Sequence, residues 1–82
     1  MMYRQYRGAY WAKLEKLQVL IYQQYRAEVA TTNPGLIIWE IYDDTPDVFS
    51  ATPRLVASGV AISIMRACFM VETWLDGTRG KS

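Results

Sequence analysis

Three Tyr-Arg dipeptides, Tyr3-Arg4, Tyr6-Arg7 and Tyr25-Arg26, are the residues of this chain best suited to holding a ligand. Arginine supplies a planar fork that matches phosphate or carboxylate, and tyrosine supplies a face on which a base can stack. A second candidate is the acidic group Asp43, Asp44 and Asp47, with Glu40 nearby. Carboxylates at that density can bind a hard cation through oxygen. The calcium-loop pattern of alternating acids around a central glycine is missing, so a capped turn is the simpler reading and no metal ligand is assigned.

Other chemistry is thinly supplied. The chain has no histidine, which removes the commonest general base and the usual partner of a serine or cysteine nucleophile. Its one cysteine, Cys68, lies in an apolar run and reads as a small buried hydrophobe in a reducing, cytoplasmic setting. Five dispersed glycines make no phosphate-cradling loop. No catalytic residue and no cofactor is assigned, and the expectation is a protein that is not an enzyme.

The elements that must position these groups are read from periodicity. Residues 9–30 contain neither glycine nor proline. On a helical wheel Tyr10, Trp11, Leu14, Leu17, Ile21, Tyr22, Tyr25 and Val29 share one broad arc, which predicts an amphipathic helix. Val19 and Leu20 fall on the polar side of that wheel and suggest a second contact surface. In this frame Tyr25 joins the apolar seam while Arg26 turns to solvent.

Three prolines follow residues that cap well, at Asn33-Pro34, Thr45-Pro46 and Thr52-Pro53, which suggests three helix starts. For the stretch 36–42 helix is preferred over strand: its Ile, Trp and Tyr suit a strand, but no other segment reads as its β partner. Residues 53–75 are apolar nearly all round, as a central buried helix or a membrane span would be. Against a span stands Arg66, a charge costing about 2.5–3.5 kcal/mol at a bilayer centre.

The expected fold is therefore all-α. It is a small helical bundle with two long helices, 9–30 and 53–75, and one or two short helices between them. Residues 1–8 form an N-terminal arm, 9–77 a single helical domain and 78–82 a tail.

Composition directs the functional reading. Half the 82 residues are apolar, with three Trp, six Tyr and two Phe, which is much hydrophobic material for so small an interior. The net charge of +1 provides no long-range field for nucleic acid. The expectation is a small interaction or accessory protein that self-associates as a homo-oligomer or docks on a larger protein. The expected contact residues are Tyr3, Arg4, Tyr6, Arg7, Val19, Leu20 and Trp74. One rival is a module that sequesters a nucleotide or small anion with Tyr and Arg at a subunit junction. Another is a small membrane subunit with one span near 55–75.

Overall fold

A computed structural model describes residues 4–32, 35–45 and 52–79. Among them the chain is mostly β, with seven strands in two antiparallel sheets and one C-terminal helix. This overturns the all-α helical bundle.

The first predicted helix is replaced by a series of hairpins. Strands β1 (Gln5–Tyr6) and β2 (Ala9–Tyr10) form a small hairpin over the expected arm. Strands β3 (Ala12–Leu14), β4 (Leu17–Tyr22) and β5 (Tyr25–Thr31) then run up and down as neighbours. The loops between them are Glu15-Lys16 and Gln23-Gln24, closing the pairs Leu14↔Leu17 and Tyr22↔Tyr25. Their first residues stand at positive φ, 51° for Glu15 and 55° for Gln23. Two-residue hairpins need this left-handed geometry, because only then does the turn match the twist of the strands. The β1–β2 turn meets the same need at Arg7-Gly8, with φ of 48° and 88°.

The stretch 36–42, expected as helix, is instead strand β6 (Ile37–Asp43), because it does have β partners, β5 and β7 (Arg54–Ala61). The second predicted long helix is thus half strand. Only after Ala61 does α1 (Ile64–Arg79) begin, and the Ser63 Oγ accepts the Arg66 backbone N–H at 3.1 Å as its N-cap. No described helix is long and apolar enough to cross a membrane, so the helical span near 55–75 is absent. The helix starts expected at Asn33-Pro34 and Pro46 lie outside the described residues. Pro53 precedes a strand instead.

Helix α1 packs across β5, β6 and β7. From it Ala67, Cys68, Val71 and Leu75 enter the core, on one stripe of the helix. The sheet meets them with Leu20, Ala27, Val29, Ile37, Ile41 and Ala61, and Trp11 joins from the connection before β3. Burial pushes the Cys68 thiol up to about 11, so it is neutral and a poor nucleophile at physiological pH. One close approach explains a glycine: a Cβ at Gly59 would stand 2.6 Å from the Trp39 ring on the neighbouring strand.

Candidate interaction surface

Two regions gather the residues of interest. The first joins the N-terminal hairpin to α1. Arg4 donates from Nε and Nη2 to the two carboxylate oxygens of Glu72, both at 2.7 Å. The Trp11 indole N–H donates to Glu72 Oε2 at 2.9 Å. One turn further on, Asp76 Oδ1 accepts the Tyr6 hydroxyl at 2.6 Å and Arg7 Nε at 3.1 Å. Planar bidentate pairing of this kind is the strong form of an ion pair. The Glu72 bond holds the Arg4 guanidinium above its ordinary range. Burial, reinforced by the bond to Asp76, pushes the Tyr6 phenol up. Tyr6 is itself buried and packs edge-on against Tyr22, with ring centroids 5.0 Å apart.

The forks of Arg4 and Arg7 are thus turned to carboxylates of the chain's own helix. Tyr3 lies outside the described residues. Trp74, half-buried, packs against the core and meets the Tyr25 ring edge-on at 5.3 Å. Leu20 is a core residue at 1% exposure, whereas Val19 is half-buried. The helical wheel had set this pair side by side on one surface. In a strand adjacent side chains point to opposite faces, so Leu20 enters the core and Val19 turns away.

The second region is the sheet face on which Val19 stands, opposite α1. Registry across the five strands defines its rows. Leu14, Leu17, Ala30, Ile38 and Val60 lie side by side from one edge to the other. The next row carries Ala12, Val19, Glu28, Glu40 and Ser58. The third carries Ile21, Arg26, Tyr42 and Leu55. None of these residues belongs to the hydrophobic core or to the side chains packed against it. Leu14, Ile21, Leu55 and Val60 are 49–65% exposed.

Polar groups occupy the middle of this face. Arg26 pairs with Glu28, reaches Asp44 Oδ2 at 3.4 Å from Nε, and lies over the Tyr42 ring at 4.8 Å from its centroid. The Tyr42 hydroxyl donates to Glu40 Oε1 at 3.1 Å, and this bond pushes its phenol pKa up. Glu28 and Glu40 stand directly opposite each other on β5 and β6.

The acidic group expected around residue 43 is dispersed. The Thr45 hydroxyl, together with the Thr45 backbone N–H at 2.8 Å, draws the Asp43 carboxyl below the usual range, and Asp43 faces Arg54 at 3.8 Å. Asp47 lies outside the described residues. No group of three or more metal-binding side chains occurs among the described residues.

Sequence reasoning set Val19 with Leu20 on the polar side of a helix, placed Leu14, Leu17 and Ile21 in its apolar seam, and did not single out Ile38, Leu55 or Val60 as surface. Their signal was present: in residues 17–22 and 37–42 apolar side chains stand at both odd and even positions, which in a strand means two apolar faces. Comparison with protein-family models, with curated proteins and with solved structures gave no match for this chain.

Proposed function

We propose that this is a small non-enzymatic interaction protein that docks on another protein through the sheet face opposite α1. The observation that carries the reading is the apolar row Leu14, Leu17, Ala30, Ile38 and Val60, which crosses all five strands on the side away from the helix. An antiparallel sheet with one solvated face ordinarily alternates apolar-in and polar-out. Apolar side chains on both faces call for a second layer, and large contiguous apolar patches mark interaction sites. A cytoplasmic setting belongs to the same proposal, consistent with the lone, free Cys68.

The rival anion-binding reading has less support, because Arg4 and Arg7 already face Glu72 and Asp76. A photo-crosslinking side chain at Leu14 or Val60, compared with one at Phe69 on the helix, tests the docking surface in native cells. The expected result is a defined protein adduct from the two sheet positions and none from Phe69. Adducts from the helix position alone would overturn the proposal.

A further inference from the structure

Resting on that docking surface, we infer that its partner is a protein segment presenting lysine or arginine among apolar side chains, and not a second copy of this chain. Charge sets the choice. Among the described residues, the centre of the face holds Glu28, Glu40 and the neighbouring Asp44 against a single cation, Arg26. Carboxylates directly opposite each other on adjacent strands repel. Arg26 answers Glu28 and Asp44, while Glu40 receives only the neutral Tyr42 hydroxyl.

Among the described residues Glu40 therefore keeps acceptor capacity without a cation, beside Ile38 on its own strand and Ala30 on the next. A cationic side chain arriving between Glu28 and Glu40 relieves their repulsion. At the same time, apolar neighbours of that cation cover the leucine–isoleucine–valine row. A second copy packed face to face over this centre brings the same carboxylates against their own kind. Like charges juxtaposed at an interface disfavour the pairing.

The test is an NMR titration of the isotope-labelled full chain with two synthetic peptides of equal length. One alternates Leu with Lys, the other Leu with Glu. The expected result is amide shifts at Val19, Glu28, Ile38 and Glu40, with the Lys peptide binding at least about tenfold more tightly at low salt. A Glu28→Gln/Glu40→Gln double variant, whose fold is verified by its own amide spectrum, loses that preference. Equal binding of the two peptides, or a preference that persists in the double variant, overturns the charge selection and leaves the docking surface standing. Shifts from neither peptide on this face would overturn both.

Discussion

The two faces of the central sheet are built from similar residues and finished differently. On the helix side, Ile41 is fully buried and the charged groups at the rim are matched, Arg4 with Glu72 and Arg7 with Asp76. On the opposite side, Ile38 stands three positions away on the same strand and no described element packs over it. There, among the described residues, the carboxylates outnumber the one guanidinium. The helix side has found its apolar and ionic partners within the chain, although the buried Trp39 indole N–H there has no hydrogen-bond partner among the described residues. The other side has the composition of a core with half of it missing, and that asymmetry carries the functional proposal.

Truncating the same side chain on each face measures the difference directly. Ile41→Ala removes a side chain from a closed core and is expected to cost about 2–5 kcal/mol in urea unfolding. For a domain of this size that is a large share of the total, since stability runs at roughly 0.05–0.15 kcal/mol per residue. Ile38→Ala is expected to cost less than about 1 kcal/mol, as substitutions away from a closed core do. Equal costs would break the comparison, because they would mean that the outer face is covered in the free protein.

The rim of the helix side gives the next effect. Glu72→Ala leaves the Arg4 guanidinium and the Trp11 indole N–H without their acceptor. A fully buried pair broken in this way costs about 3–5 kcal/mol, and the one-third exposure of Arg4 reduces the expectation to about 2 kcal/mol. Glu40→Ala on the outer face is expected to change unfolding by no more than about 0.5 kcal/mol. A loss from Glu40→Ala as large as that from Glu72→Ala would show that the outer carboxylates serve the fold and not a partner.

The features that hid this fold from sequence reasoning are physical. Residues 9–30 look helical because the turns at Glu15-Lys16 and Gln23-Gln24 use neither Gly, Asn nor Asp, the residues that tolerate positive φ and announce hairpins. With the turns invisible, inward Trp11, Tyr22, Tyr25 and Val29 and outward Leu14, Leu17 and Ile21 merged into a single helical arc. A sheet apolar on both faces has no clean period of two, so the apolar outer face also erased the strand signal. The same blindness made β6 look like a strand without neighbours. The junction between β7 and α1 contains no Gly or Pro, yet Ser63 was a readable N-cap that the continuous apolar run obscured. What composition did reveal was the surplus of apolar side chains. The joining of Arg4 and Arg7 to Glu72 and Asp76, some 70 positions along the chain, had no local signal.

Turn geometry decides which residue faces which side, and so it underlies the contrast between the faces. A slip of one residue of β4 against β5 would exchange Leu20 for Val19 or Ile21 on the core side. Gln23 holds the register against that slip at a φ of 55°, a conformation costing an L-residue about 1–2 kcal/mol. Glycine adopts it freely but loses more chain entropy on folding, a penalty of roughly 0.5–1 kcal/mol. Gln23→Gly is therefore expected to raise stability by up to about 1 kcal/mol, seen as a higher urea midpoint with an unchanged slope. Gln23→Val, branched at Cβ, is expected to lower the midpoint, because its side chain is the kind least tolerated at positive φ. If valine were accepted as readily as glycine, the turn would not be setting the register. The assignment of Val19, Glu28 and Ile38 to one exposed face would then have to rest on the apolar pattern alone.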